Sequence, residues 1–278
     1  MASTQVHIID PCGGGLILVQ CEDGSRVLYG SNVSAAGQQE VVQRIFEVLE
    51  DGKIDYFIHS GVEVDGKLDY AAIDEFFPIK ACVELAGKDI QLPPSYLAFR
   101  GSRTVEMLEP DDVLGFGATN IRVFGAQSGR PMPGGVWRPI ALHVSHETDA
   151  GTNALLALGH TGGLDWLAIE KELAEEMKAD CLVVNGNLPL DIVITTGDRV
   201  EVSIDHLRAI GPRTVVMGAE HGSKNPLRKA AIDLYGCFTR DHGGDPVLDM
   251  KKDSWLALKL DGQKVKTETE PRALGMAA

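Results

Sequence analysis

The stretch FIHSGVEVDGKLD, Phe57 to Asp69, sets His59, Ser60, Glu63 and Asp65 in a loop that follows a short apolar run. Imidazole and carboxylate groups on one loop are the raw material of a metal site or of general acid–base chemistry. Val62 and Val64 alternate with them, however, and neither can bind a metal. A second candidate, His160, ends the apolar run NALLALGH. The remaining polar clusters are weaker. HVSHETD (His143, His146, Glu147, Asp149) has histidines three apart, which need not converge on a strand, and it is expected to be a solvated hairpin tip. GAEHGS (Glu220, His221, Ser223) and RDHGGD (Asp241, His242, Asp245) end in glycine-rich turns and carry turn chemistry. TTGD, with Thr195 and Thr196, lies between apolar runs and reads as a hairpin turn. No GxSxG nucleophile elbow occurs, and PCGGG precedes a strand instead of opening a helix, which argues against a dinucleotide-binding turn.

These residues must be positioned by an ordinary globular chain of 278 residues, 44% hydrophobic and 24% charged, long enough to bury a sizeable core. The formal net charge is −14, from 26 Lys and Arg against 40 Asp and Glu. That balance repels phosphate backbones, and no dense Lys/Arg stripe offsets it, so nucleic acid is not expected as a partner. No apolar stretch approaches the roughly 20 residues of a membrane span, and MASTQVHIID lacks the pattern of a secretory leader; a cytoplasmic protein is expected. Cys12, Cys21, Cys82, Cys181 and Cys237 are scattered, odd in number and never paired as CxxC, as buried free thiols would be.

Along the chain, VHIID, LILVQC and RVLYG read as three strands, the last two joined by the turn EDGS. QQEVVQRIFEVLE carries apolar residues at helical spacing and stops at DGK. IDYFIHS is a buried strand, DYAAIDEFF a short helix and IKACVEL a strand. Residues 87–135 are rich in Gly, Pro and turns, with short strands at DDVLGFG and NIRVFGAQ, and SGRPMPGGVWRP reads as a surface loop. The pattern restarts at Pro139 with paired strands IALHVSH and NALLALGH and the amphipathic helix LDWLAIEKELAEEMK, whose Trp166 faces the core. Strands ADCLVV, LDIVITTG and RTVVMGA, helices IDHLRAI and NPLRKAAIDLY, and strand SWLALKLDG complete the chain. Two halves of similar make-up, about 1–135 and 136–262, predict one α/β domain, a four-layer αββα sandwich of two sheets flanked by helices over residues 1–262, with a disordered tail over 263–278.

The order of elements resembles the metallo-β-lactamase superfamily, and within it the hydrolase domain of the ComEC competence proteins. That family opens with a pattern like DVGQGDAILI…PDGK.ILIDGG, where this chain has IDPCGGGLILVQCEDGSRVLYGSN. A family helix and strand lead to SHPHADHIGGL, where this chain has IDYFIHSGVEVDGKLD. A family strand ends in LLTGD, where ALLALGH ends at His160. The family's HHGS, EFL, P and strand are matched in spacing by TTGD, RVEVS, IDHL, GP and RTVVM. The resemblance spans nearly the whole chain and rests on layout and hydrophobic pattern.

The resemblance implies a loop whose metal-binding residues are replaced. The family's HxHxDH supplies imidazoles and a carboxylate to two metals that activate a bridging water. Here Ser60 to Asp65 stand in that place, Thr195 and Thr196 (or, in another register, Asn185 to Asn187) replace the later histidines, His160 replaces the bridging carboxylate and Asn225 the last histidine. Hydroxyls and amides are weak zinc ligands, so no dinuclear site and no cofactor is expected. The leading expectation is therefore a non-catalytic binding or regulatory protein that takes a partner protein or a small ligand in a vestigial cleft of His59, Ser60, Glu63, Thr195, Thr196 and Asn225. The rival is a hydrolase with a rearranged site, in which Asp65, His160 and His59 hold one divalent metal, zinc or manganese, or in which His160 acts as general base with Asp65 orienting it. A third reading, a self-associating component and hence a homo-oligomer, would need large apolar patches on edge strands or outer helices.

Overall fold

The computed structural model describes residues 3–10, 16–30, 38–49, 52–61, 68–86, 92–109, 112–125, 130–132, 135–137, 140–159, 176–185, 192–195, 199–202, 204–219, 227–250 and 255–269. The first strands are β1 (Thr4–Asp10), β2 (Leu16–Gln20) and β3 (Arg26–Tyr29), an antiparallel meander. From β3 the sheet continues in parallel through β4 (Ile54–Ile58), β5 (Ile79–Leu85) and β6 (Thr104–Leu108). Parallel neighbours need crossovers, and helices α1 (Gln38–Val48), α2 (Tyr70–Phe76) and α3 (Pro94–Arg100) supply them. The helix α1 is fastened to β1 by Arg44, which is buried, donates to the Ile9 carbonyl and pairs with Glu40 at 3.1 Å.

The second sheet contains β7 (Leu114–Phe116), β8 (Thr119–Gly125), β11 (Ile140–Thr148), β12 (Gly151–Ala157), β13 (Cys181–Val184), β16 (Thr214–Met217) and β17 (Leu248–Asp249). Its spatial order is β17-β16-β13-β12-β11-β8-β7, parallel from β12 to β17 and antiparallel beyond. Helices α4 (Asp205–Ile210) and α5 (Arg228–Asp241) cover its outer face. The chain closes with β18 (Leu256–Leu260) and β19 (Lys266–Thr269), which return to the first sheet beside β1.

Alternation along the strands explains the layering. Val6, Ile8, Val19, Val27 and Ile58 of the first sheet pack against Ile121, Leu142, Val144, Leu155 and Val183 of the second, forming the central core. Their sequence neighbours Leu16, Leu18, Leu28 and Phe57 point the other way, under α1 to α3, and Leu156, Leu182, Val184 and Val215 lie under α4 and α5. This is the four-layer αββα sandwich that the sequence predicts.

The sequence reading differs from the structure in its middle and at its end. PSYLAFR, in the turn-rich stretch 87–135, is helix α3: a proline sits in its first turn, and Tyr96 and Phe99, three residues apart, are its buried face. Strand β6 follows in the same stretch. SGRPMPGGVWRP contains a two-stranded ribbon, β9 (Arg130–Met132) with β10 (Gly135–Trp137), where a loop was expected. The chain changes sheets between Leu108 and Leu114, ahead of residue 135, because β7 and β8 pair with β11. The first sheet also runs past residue 262, since β19 lies in the segment expected to be disordered. The helix LDWLAIEKELAEEMK, with Trp166, lies outside the described residues up to position 175. Among the described residues, no helix is long and apolar enough to cross a membrane. The large apolar side chains at the described surface are Phe46, Phe76, Leu97, Met107 and Val113.

Candidate functional site

Ligands of open α/β sheets collect outside the carboxyl ends of parallel strands, so those ends are where chemistry is sought here. The ends of β3 and β4 are joined by Gly30, whose N–H donates to the Ile58 carbonyl at 3.0 Å. On the second sheet, Leu158 N–H donates to Val183 O at 3.0 Å and Gly218 N–H to Val184 O at 2.8 Å, which aligns the ends of β12, β13 and β16. Ile140, the first residue of β11, ties the two sheets together. Its N–H donates to the Ser60 carbonyl at 3.0 Å, and its own carbonyl accepts the Tyr29 hydroxyl at 2.5 Å.

Tyr29 has no exposed surface. It projects from the last position of β3 into the core between the sheets, and burial holds its phenol well above the usual tyrosine range, so it stays a protonated donor. The residue facing it is Gly159, just past β12. A β-carbon at Gly159 would lie 2.3 Å from the Tyr29 oxygen and 3.5 Å from the Ile140 carbonyl, and φ there is +54°. Both the close approach and the left-handed backbone require glycine.

His59 and Ser60 follow β4. Ser60 is fully buried. His59 is 2% exposed, its Nδ1 accepts the Gly61 N–H at 2.9 Å, and its ring lies 4.6 Å from that of Tyr96 and 6.4 Å from that of Tyr70. An Nδ1 used as acceptor places the hydrogen of the neutral ring on Nε2, which makes that nitrogen a donor and removes it as a metal ligand. Tyr96 in turn donates to Glu84 Oε1 at 3.0 Å, and Glu84 is paired with Arg100 at 3.2 Å. Burial, then the neighbouring Cys82 and Glu84, raises the Tyr96 phenol. His59 therefore belongs to an aromatic and ionic wall built on α3.

The fold of the family suggests metal ions at these strand ends, and the described residues there do not fit them. Among the described residues, no three His, Cys, Asp or Glu side chains are grouped so as to hold an ion. His59 Nδ1 is taken by the Gly61 N–H, and the buried Tyr29 packs between the sheets against Ile140 and Gly159. Of the sequence candidates, His59 and Ser60 are brought together, and Asn185 is buried just after β13. Thr195 ends β14 (Ile192–Thr195), which pairs antiparallel with β15 (Arg199–Val202) in a ribbon separate from both sheets, with Thr195 opposite Arg199. Asp65, Glu63, His160, Thr196 and Asn225 lie outside the described residues, as do Glu220, His221 and Ser223.

The other clusters separate cleanly. The HVSHETD histidines are not a solvated tip: both are buried, on opposite faces of β11. His143 lies outward against Phe124, with Nε2 3.0 Å from the Lys178 carbonyl, whereas His146 lies inward beside Thr4. Of that motif's four polar candidates, Glu147 and Asp149 are the exposed ones. In RDHGGD, His242 caps α5 and stacks on Phe238 at 4.1 Å, and Asp245 N–H donates to Arg213 O at 2.9 Å, which is turn chemistry. Cys21, Cys82 and Cys181 are buried free thiols, but Cys237 is exposed on α5. The residues that sequence reasoning missed are Tyr29, Gly159 and Ile140. The signal was present in VLYGSN, where Tyr29 puts a hydroxyl at the second isoleucine of the family's ILIDGG.

No family profile matches the chain, and no curated relative matches it by sequence. Solved structures do match in shape. A metallo-β-lactamase fold protein, YhfI from Bacillus subtilis, superposes with a TM-score of 0.57 at 16% identity over 92% of this chain and 99% of that one. The chain has the metallo-β-lactamase fold. CmlA, a diiron β-hydroxylase from Streptomyces venezuelae, gives 0.61 at 12% identity over 93% of this chain and 54% of its own. A long form of RNase Z from yeast gives 0.56 at 11% identity over 99% of this chain and 50% of its own. The chain thus spans about half the length of these last two. At such identities the likeness establishes the fold alone.

Proposed function

We propose that this chain is a binding or regulatory protein on a metallo-β-lactamase fold, without the dinuclear centre and without hydrolytic turnover, taking a partner protein or a small ligand at its altered cleft. The observation that supports this reading most is the closure of the inter-sheet space by Tyr29 against Ile140 and Gly159. Catalysis of the metal-assisted kind needs an open coordination position facing a substrate, and a buried phenol in a tight contact works against one. The tautomer of His59 adds to this. The net charge of −14 disfavours a nucleic-acid ligand, whatever structures share the fold.

A second reading is favoured by one feature. In sequence, Asp65 follows Ser60 by five positions and His160 follows Gly159 by one, and both Ser60 and Gly159 meet Ile140. A hydrolase of ComEC-like descent would use His160 as general base with Asp65 beside it, or hold one zinc or manganese ion on Asp65, His160 and His59. The test is hydrolysis of phosphodiester and β-lactam reporter substrates with zinc, manganese or iron added. The binding reading expects rates equal to the protein-free blank. Turnover that disappears in Asp65→Ala and in His160→Ala would establish the hydrolase instead.

A further inference from the structure

The end of the sandwich opposite Tyr29 holds a polar cluster between the sheets. Thr4 opens β1 there, Thr119 opens β8, His146 lies near the end of β11 and Asn153 near the start of β12. His146 is in register with Thr119 on one side and with Asn153 on the other, so the three side chains share the inner face. Each is at most 1% exposed, as is Thr4, which faces them from the first sheet.

Most of the polar atoms are paired. Thr4 Oγ1 lies 3.0 Å from His146 Nδ1 and 2.6 Å from Thr119 Oγ1. Thr119 Oγ1 accepts the Glu22 N–H at 2.9 Å, and Asn153 Oδ1 accepts the Gly262 N–H at 3.1 Å. Two atoms remain buried without a hydrogen bond to the protein: His146 Nε2 and Asn153 Nδ2. They belong to directly paired residues, and an unmet buried polar group is destabilising, so two on one register pair are a combination that folding selects against. Their needs are complementary. The amide nitrogen must donate, and the imidazole nitrogen accepts once Nδ1 carries the ring hydrogen. One small molecule that accepts from the first and donates to the second satisfies both.

We propose that His146 Nε2 and Asn153 Nδ2 bind one internal water molecule, with His146 held as the neutral Nδ1–H tautomer. The hydrogens then run in one direction: Asn153 Nδ2–H to water, water to His146 Nε2, Nδ1–H to Thr4 Oγ1, and the Thr4 hydroxyl to Thr119. The bridge links the first strand, the second sheet and, through Gly262, the turn between β18 and β19. Burial favours the neutral ring, while Glu22 and Asp261 are the charges that act on it in the opposite sense.

NMR of the full, unmodified chain tests this without a variant. Long-range proton–nitrogen correlations of the His146 ring at neutral pH are expected to show hydrogen on Nδ1 and a bare Nε2. Water-selective nuclear Overhauser spectra are expected to connect the Asn153 side-chain amide to a long-lived water. An Nε2–H tautomer, or an Asn153 amide with no water cross-peak, would overturn the proposal. As a second arm, Asn153→Leu should abolish the cross-peak and shift Nε2, whereas an unchanged Nε2 resonance in a folded Asn153→Leu protein would also overturn it.

Discussion

Substituting Gly159 by alanine should damage the protein severely, and removing one oxygen atom elsewhere should relieve the overpacking part of that damage. The new methyl carbon would lie 2.3 Å from the Tyr29 oxygen, while the next ring atom, Cζ, is 3.4 Å away. Overpacking of that kind costs about 1–3 kcal/mol. The left-handed backbone at φ +54° adds about 1–2 kcal/mol for any residue with a β-carbon. Gly159→Ala should therefore destabilise by roughly 2–5 kcal/mol. Tyr29→Phe alone loses the hydrogen bond to the Ile140 carbonyl, worth about 1 kcal/mol net. In the double variant the methyl group meets Cζ at an ordinary contact distance, so the overpacking vanishes and the backbone strain stays. The double variant should cost about 1–3 kcal/mol less than the sum of the two single ones. Urea unfolding followed by circular dichroism reads this coupling, provided the slope with denaturant is the same in all four proteins. Additivity within about 0.5 kcal/mol would refute the contact and, with it, the closure of the space between the sheets.

Other consequences follow from the same geometry. Arg100→Met leaves the buried Glu84 carboxylate with the Tyr96 hydroxyl as its remaining described partner and should cost about 1–3 kcal/mol in the same urea assay; a neutral result would show that α3 is not fastened by this pair. Gly244→Ala places a methyl carbon 2.0 Å from the Arg213 carbonyl oxygen, whereas at Gly243 a β-carbon would meet open space at φ +67°. Gly244→Ala should thus be clearly worse than Gly243→Ala, whose cost is about 1–2 kcal/mol of backbone strain, and equal midpoints would contradict the turn geometry. His143 and His146 are both held below their ordinary value, chiefly by burial. The unfolded chain then binds protons that the folded chain refuses, so their contribution to stability is complete above about pH 6.5 and is lost as pH falls through that value toward the lowered folded ones. Urea midpoints measured from about pH 7.5 down to about pH 5.5 should fall, and less steeply in His146→Leu; an unchanged slope in that variant would contradict the assignment.

The layers were legible in the sequence because their signals are long and periodic. Strands such as VHIID and LILVQC bury both faces, and the apolar spacing of α1 runs for three turns, so type and order could be read directly. The seven-residue α3 was hidden because its two turns give a single apolar repeat, Tyr96 and Phe99, amid proline and glycine. The β19 strand was hidden for another reason: KTET carries polar side chains on an edge, and pairing with β18 makes it a strand. The site was legible only through a resemblance of layout. Residues 60–65 do not spell HxHxDH, whereas the packing of Tyr29 with Ile140 and Gly159 is a relation in which Tyr29 stands more than a hundred positions from its partners and is joined to them by the two sheets. The histidines of HVSHETD show the same limit, because three residues along a strand send side chains to opposite faces, and whether each face is wet depends on the partner layer.

Metal content tests the central claim most directly. Elemental analysis of protein prepared without chelator and without a metal-binding tag should find zinc, manganese and iron each well below one equivalent, with no change in an Asp65→Ala, His160→Ala double variant. Near-stoichiometric metal that is lost in that double variant would contradict the account and assign the cleft to hydrolytic chemistry.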